Sequence, residues 1–455
     1  MFTDRHDLLR VSQPQLNYGI AVTDIDGDGA FEAFVAGFSG PNMVLKWDGS
    51  AFDNCAPAMV ADPLRRAIGV AAGDINGDGR EELYVLNTDT FAGRKRFGDR
   101  LFALRQGTWI DICTLPENQA TLNLTAGRSV VCLDRFGVGR YGFFVANYGG
   151  PMRLYELSDA GLLHDAAPQA RLNLVTGGRG LVALPLVSNS MDVYAVNEQG
   201  PNFLFRNQGD GTFEELAQAY GLDDPDEHGR GVAAFDVDGD GRFDLVWGNW
   251  EGPHRLCVRT ERGHFQHIAS PELTLPSRVR TVIAADFDND GYEEVFFNNI
   301  AQPNRLFGQR NGAWVPLDIG AAQEPNGLGT GAAVGDFDGD GRLELLIAHG
   351  EMAPQPLTLY HGPDNGNNWL RVLPLTLNGA PARGALVILQ AEGRRQRRAI
   401  DAGSGYLCQM EPVAHFGLGR AQSVSRVVVR WLDGSVAVVE QPRLNTLLRV
   451  PYPAC

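Results

Sequence analysis

Residues 286–297 read Asp286-Phe-Asp288-Asn-Asp290-Gly291-Tyr292-Glu-Glu294-Val-Phe-Phe297, and 336–347 read Asp336-Phe-Asp338-Gly-Asp340-Gly341-Arg342-Leu-Glu344-Leu-Leu-Ile347. The same pattern opens at Asp24, Asp74 and Asp236, so five copies start at positions 24, 74, 236, 286 and 336. Three of the gaps are 50 residues; the fourth, 162, has room for two decayed copies. One is Asp134-Arg-Phe-Gly137-Val-Gly139, and the other lies near Pro185, placed by Arg179-Gly180 before it and Asp192 after it. Internal repetition at such a period marks units that bury their apolar faces against neighbouring copies. Seven units result.

Working outward from an acidic loop, the fifth unit shows what each contains. Gly231-Val-Ala-Ala-Phe235 is small and apolar, suited to an inner strand crowded around an axis, and Leu245-Val-Trp247 follows the loop. Then come Arg255-Leu-Cys-Val-Arg259, a turn at Arg262-Gly263, and Phe265-Gln-His-Ile268. Short strands at this spacing, with no helical period between them, give an all-β fold. Four strands repeated seven times give a seven-bladed β-propeller, expected over residues 1–364. Phe2–Leu9 precedes the first inner strand by nearly the distance at which Phe213–Leu216 precedes the fifth, so it is expected to complete the seventh blade. From about Asn365 the pattern stops, and residues 365–455 read as a second, small β-sandwich domain.

In each intact loop, positions 1, 3 and 5 converge and the glycine makes a sharp turn around the point of convergence. That oxygen-rich set suits Ca²⁺, which takes ~6–8 oxygens. Position 12 holds Val35, Val85, Trp247, Phe297 or Ile347, all strand-forming, and the further acid comes at position 9, so this is no EF-hand. The expected ligands are Asp24, Asp26, Asp28 and Glu32 with the Ala30 carbonyl, then Asp74, Asn76, Asp78 and Glu82 with that of Arg80. Asp236, Asp238, Asp240 and Asp244 with Arg242 form the third set, Asp286, Asp288, Asp290 and Glu294 with Tyr292 the fourth, and Asp336, Asp338, Asp340 and Glu344 with Arg342 the fifth. About five Ca²⁺ are expected, one per intact loop. Nineteen carboxylates at five points need counter-cations to stay ionised together. The alternative is a set of Asp-Gly turns without metal.

Composition agrees. The 455 residues carry a net charge of -16, which argues against nucleic acid as a partner, and 55 glycines, well above the ~7% average, imply many turns. No apolar run is long enough to span a membrane, and the chain opens without the basic and apolar segments of a signal peptide. Calcium modules of the extracellular type bind at about 10⁻⁴–10⁻³ M, which points outside the cytoplasm. The six cysteines show no paired spacing and read mostly as free or packed thiols. Gly137-Val-Gly139-Arg-Tyr-Gly142 matches GxGxxG, but the repeat register explains it and no helix follows.

Six residues before each loop stand Tyr18, Ile68, Arg128, Arg179, Arg230, Arg280 and Thr330. Four successive blades thus offer arginine at the channel mouth away from the acidic loops. Loops opening at the same face bring Asn147-Tyr148, Asn197-Glu198, Asn249-Trp250, Asn298-Asn299 and His349. Guanidinium forks beside amides and rings suit an anionic or polyhydroxylated ligand. The expected ligand residues are Arg128, Arg179, Arg230, Arg280, Asn147, Tyr148, Asn249, Trp250, Asn299 and His349; the alternative is that the arginines pair with acids of neighbouring blades.

The repeats resemble the FG-GAP/VCBS repeats of integrin-like propellers. In the tail, Arg383-Gly-Ala385, Gly403-Ser-Gly-Tyr406-Leu-Cys-Gln409, His415-Phe-Gly-Leu-Gly419 and Val429-Arg-Trp431-Leu-Asp-Gly434 are similar to the ASPIC/UnbV domain of the cartilage acidic protein-like family. The resemblance implies a calcium-binding propeller with a C-terminal β domain and a role in binding or adhesion. The third and fourth blades depart from it by losing the acidic loop. The reading is therefore a calcium-stabilised binding protein that recognises a protein, glycan or anionic ligand on the face opposite the calcium loops. Two alternatives stand beside it: a lectin-type module, and a cyclase- or lyase-type enzyme with its site in the channel. No HExxH, GxSxG or Walker A pattern supports the enzyme.

Overall fold

The structure is a computed structural model that describes residues 1–11 and 13–453. Strand pairing groups the first 361 residues into four-stranded antiparallel units. The first runs Asn17–Thr23, Glu32–Gly37, Met43–Trp47 and Phe52–Asn54, and the fifth runs Gly229–Phe235, Asp244–Asn249, Arg255–Arg259 and Phe265–His267. Each unit's first strand packs against the first strand of the next, in a circuit that returns to Asn17–Thr23 from Gly329–Gly335. That closed circuit is a β-propeller, built by the crowding of small residues at its axis. A Cβ on Gly331 would lie 2.3 Å from the Tyr18 carbonyl, and one on Gly19 only 2.9 Å from the Gly69 Cα.

The last unit, Gly329–Gly335, Glu344–His349 and Thr358–His361, takes its outer strand from the N-terminus: Thr3 pairs with His361 and Asp4 with Tyr360. The contribution is shorter than Phe2–Leu9, because His6–Leu8 turns into a 3₁₀ helix. Phe2 anchors it, edge-on to Phe287 with ring centres 4.9 Å apart. The decayed third and fourth units are fused. Strand Gly142–Pro151 overruns its own blade and pairs Tyr148, Gly150 and Pro151 with Gly177, Thr176 and Val175 of the next, so eight strands share one sheet.

From Asn368 the chain forms two sheets around one apolar core that includes Leu370, Val387, Phe416 and Val429. Asn368–Pro374 lies between Ala414–Gly419 and Leu447–Val450; Arg394–Ala399, Leu386–Ala391, Arg426–Arg430 and Val436–Glu440 make the other sheet. This unit does not hang from a linker. Its residues 401–411 enter the propeller and bond to the inner strands, whose open edges would otherwise leave N–H and C=O groups unpaired. Gly405 and Val232 exchange backbone bonds of 2.7 and 2.8 Å, Cys132 N–H donates to Ala402, and Gln409 N–H donates to Ile20. The Gln409 amide is fixed from both sides by Ala72, at 2.7 and 3.0 Å.

Cys113, Cys132, Cys257 and Cys408 are free and buried, and Cys55 is free and exposed, while Cys455 lies outside the described residues. Among the described residues no helix is long and apolar enough to cross a membrane.

Candidate functional site

Two sites lie at opposite ends of the inner strands. Gly229–Phe235 carries Arg230 near its start and runs into Asp236, about 20 Å further along at the usual rise per residue.

At the acidic end, every intact loop divides its carboxylate oxygens in the same way. One oxygen of the first acid accepts from the sixth-position glycine at 2.9 Å: Asp24 from Gly29, Asp74 from Gly79, Asp236 from Gly241, Asp286 from Gly291 and Asp336 from Gly341. One oxygen of the ninth-position acid accepts from the second-position N–H, as Glu32 does from Ile25 at 2.8 Å and Glu294 from Phe287 at 3.0 Å. The other oxygens differ between loops: Asp24, Asp74 and Asp336 each accept a second bond from the fourth-position glycine, and Asp244 accepts from Arg259. Asp236 Oδ1, Asp286 Oδ1 and Glu294 Oε1 are buried without a hydrogen-bond partner, whereas Glu32 Oε1 lies 3.2 Å from the Lys46 ammonium and Glu344 Oε1 2.9 Å from the His361 imidazole. A buried, unpaired acceptor is costly, and one or two of them beside further carboxylates suit a cation. Ligand atoms of Asp24, Asp26 and Glu32, of Asp236, Asp238 and Asp244, of Asp286, Asp288 and Asp290, and of Asp338, Asp340, Glu344 and His361 lie within 4.8 Å of one another in each group.

Titration behaviour follows. Burial, then neighbouring carboxylates, pushes Glu82 up to about 9, and Glu32 and Asp244 to about 7. The donor set, all hard oxygens at three of these points, fits Ca²⁺. In the second loop the Asn76 amide ties Asp78 and Glu82 together at 3.1 and 2.5 Å. In the degenerate loops the acid is held by backbone donors. Both Asp134 oxygens accept backbone bonds, from Gly137 and Gly139, and the Asp192 carboxylate accepts from Leu186, Val187, Ser188 and Asn207. The position-7 N–H groups of Ala30, Arg80, Arg242, Tyr292 and Arg342 each donate to their position-5 aspartate.

At the other end, Arg128, Arg179, Arg230 and Arg280 line one cavity of about 480 Å³ with Tyr18, Phe91, Trp250 and Tyr406. Arg179 and Arg230 both bond the Glu198 carboxylate, Arg280 bonds Glu351, and Arg128 donates to the Phe91 and Thr90 carbonyls. These four guanidiniums face Glu198 and Glu351, and Arg66 and Asp89 complete the charged lining. Aromatic faces carry part of the excess: Trp250 sits 4.4 Å from Arg280 and 5.2 Å from Arg230, and Tyr148 4.6 Å from Arg179. All four Nε atoms are buried without a partner. Burial and Arg179 bring Arg230 down to about 10, still charged at neutral pH, while Arg179 and Arg230 hold Glu198 below the usual range against its burial.

Tyr406 is the residue that sequence reasoning missed here. It lies in the threaded segment, so the C-terminal unit supplies one wall of the propeller's cavity. Burial acts to raise its phenol, but Arg179, Arg280, Arg128 and Arg230 together hold it below the ordinary value.

Asn147, Tyr148, Asn249, Asn299 and His349 are not among the residues that line this cavity. Each amide closes its own loop by donating to a carbonyl four residues on, Asn147 to Pro151 at 2.7 Å, Asn249 to Pro253 at 2.8 Å and Asn299 to Pro303 at 2.7 Å. His349 bridges Pro356 and Glu324 at 2.8 and 3.0 Å. The signal was present as a repeated Asn-x-x-x-Pro, which Asn197 and Pro201 share.

Comparison with known proteins adds the following. A family model described as FG-GAP-like repeat matches residues 24–85, 189–247, 236–297 and 286–347, and one described as ASPIC and UnbV matches 376–455. Cartilage acidic protein 1 of Xenopus tropicalis is 47% identical over 96% of this chain and 74% of its own length. The protein of the same name from Homo sapiens is 48% identical over 96% of this chain and 72% of its own. Among solved structures, the BP39L lectin from Burkholderia pseudomallei matches with a TM-score of 0.51 at 15% identity, covering 77% of this chain and 99% of that one, a likeness of fold.

Proposed function

The chain belongs to the cartilage acidic protein family, and from that premise we propose that it is a calcium-stabilised binding protein whose arginine-ringed mouth takes an anionic ligand. One observation carries the reading: five arginines, four of them buried with unpaired Nε–H groups, line one cavity against the three carboxylates of Asp89, Glu198 and Glu351. Such forks match carboxylate, sulfate or phosphate oxygens, and an anion there would supply the missing charge and the missing acceptors together. The ring faces of Trp250 and Phe91 favour a ligand with a flat or sugar-like body, and the cavity volume is in the range of small-molecule sites.

On this reading Asp24–Glu32 and its counterparts at 74–82, 236–244 and 286–294 hold Ca²⁺, joined by the position-7 carbonyls, and brace the far end of the same strands. The ions are structural and take no part in ligand contact. Low-affinity calcium sites of this kind fit a place outside the cytoplasm. The ligand is borne by a glycan or protein partner or is free in solution.

Arg128 and Arg280 are the residues to change. Arg179 and Arg230 share Glu198, and removing either leaves that carboxylate with a single cationic partner; Arg128 rests on carbonyls, and the Glu351 side chain is 41% exposed. Arg128→Met and Arg280→Met are compared with the unaltered protein on an array of sulfated, uronic-acid and neutral glycans, with inorganic sulfate and phosphate as competitors. The expected result is retention of anionic probes only, weakened tenfold or more in each variant at unchanged melting temperature. Equal retention of neutral probes, or indifference to both substitutions, overturns the proposal.

A further inference from the structure

Strand register places one more residue beside each acidic loop. The ninth-position acid starts the second strand of its blade, and the third strand sets a residue directly across from it. In the last blade Glu344 pairs with His361. The pairs Ala33–Leu45, Leu83–Phe102, Leu245–Cys257 and Val295–Phe307 put Lys46, Ala103, Val258 and Gly308 across from Glu32, Glu82, Asp244 and Glu294. Ala103, Val258 and Gly308 have no side-chain donor. Lys46 brings an ammonium, 2.5 Å from Asp26 and 2.6 Å from Asp28, which has no lone pair to offer a metal. Of the five, His361 alone offers a nitrogen lone pair.

Its placement suits a metal ligand. His361 Nε2 lies 2.9 Å from Glu344 Oε1, 3.4 Å from Asp340 Oδ2 and 4.0 Å from Asp338 Oδ2. The His361 and Glu344 side chains are 7% and 4% exposed, and neither Nε2 nor Oε1 makes a well-directed hydrogen bond. Asp336, like Asp24 and Asp74, has both oxygens engaged by glycine N–H groups, and its Oδ2 also meets the Arg371 guanidinium at 2.9 Å. In this blade an imidazole stands where the other four have no metal-ligating side chain.

The imidazole changes the preferred ion. Ca²⁺ binds hard oxygens and gains little from nitrogen, whereas imidazole suits the later first-row divalent metals, whose affinities rise from Mn²⁺ toward Cu²⁺. We propose that Asp338, Asp340, Glu344 and His361 form a site for a first-row transition metal such as Mn²⁺ or Zn²⁺, separate in preference from the calcium loops of the other blades.

The test uses the full chain in millimolar-range calcium, about 10⁻³ M, with Mn²⁺ as spectroscopic probe and Zn²⁺ as competitor. One Mn²⁺ per chain is expected to remain after gel filtration, with nitrogen hyperfine coupling in its pulsed EPR spectrum, and Zn²⁺ is expected to displace it. His361→Gln should weaken Mn²⁺ binding at least tenfold and abolish the nitrogen coupling while calcium-dependent melting stays in place. Should that variant fold poorly, His361→Asp restores an all-oxygen set and should turn the site to calcium. Displacement of Mn²⁺ by calcium, absence of nitrogen coupling, or a permanently protonated His361 paired with its acids overturns the proposal.

Discussion

At the scale of single residues, Tyr406 concentrates the electrostatics of the mouth. Four guanidiniums hold its phenol below the usual value near 10, while burial pushes Tyr84, Tyr141 and Tyr194 well above it. The folded value is the lower one, so this group adds stability as pH rises from that value toward 10 and adds none below it. Its ionisation also places a negative charge among the arginines, so anion binding should weaken across the same interval. Phenolate absorbance followed from neutral to alkaline pH should show one early tyrosine, and Tyr406→Phe should remove it; an early step that survives the substitution contradicts the assignment. The arginines were legible because they recur at one repeat position. Tyr406 was not, since nothing local tells that Gly403–Gln409 will lie along another unit's axis.

Among elements, the two-residue strand Thr3–Asp4 closes the ring out of proportion to its length. Phe2 is buried against Phe287, its N–H donates to Ile319, and Leu9 bridges to Phe52, so the segment touches the sixth, seventh and first units. Phe2→Ala is expected to cost about 3 kcal/mol, in the range for buried aromatics, and deletion of residues 1–10 more than that, both read from urea midpoints; an unchanged midpoint contradicts the closure. This outer strand was readable from its spacing, and the inner strands from their small residues. The joining of the third and fourth units was not, because Gly142–Pro151 runs on into the next blade by backbone bonds that leave no side-chain pattern. The Asn-x-x-x-Pro loops were visible as a motif, but whether an amide faces a ligand or its own turn depends on the turn's geometry.

For the whole molecule, the decisive arrangement is the seating of the C-terminal unit on the acidic loops. Arg371 pairs with Asp336 at 2.9 Å, Arg383, fully buried, with Glu81 at 2.5 Å, and Arg394, Asn378 and Arg449 donate to the carbonyls of Gly291, Gly77 and Gly29. A loop that holds its ion presents those carbonyls in one fixed geometry, so calcium and seating should support each other. An ion at one hundred times its dissociation constant adds about 2.7 kcal/mol per site. Calorimetry with and without chelator should therefore show a marked fall in melting temperature, together with faster proteolysis after residue 361; identical traces would remove calcium from the account. The sequence alone determined the repeat, the acidic loops and the ring of arginines, because each rests on residues close in the chain and copied from unit to unit. Tertiary structure alone decided that a segment from the far end of the chain fills the channel, adds Tyr406 to the mouth and sets Arg371 on Asp336. Those contacts join residues hundreds of positions apart, and they form because unpaired inner-strand edges and buried acids must find partners wherever the fold brings them.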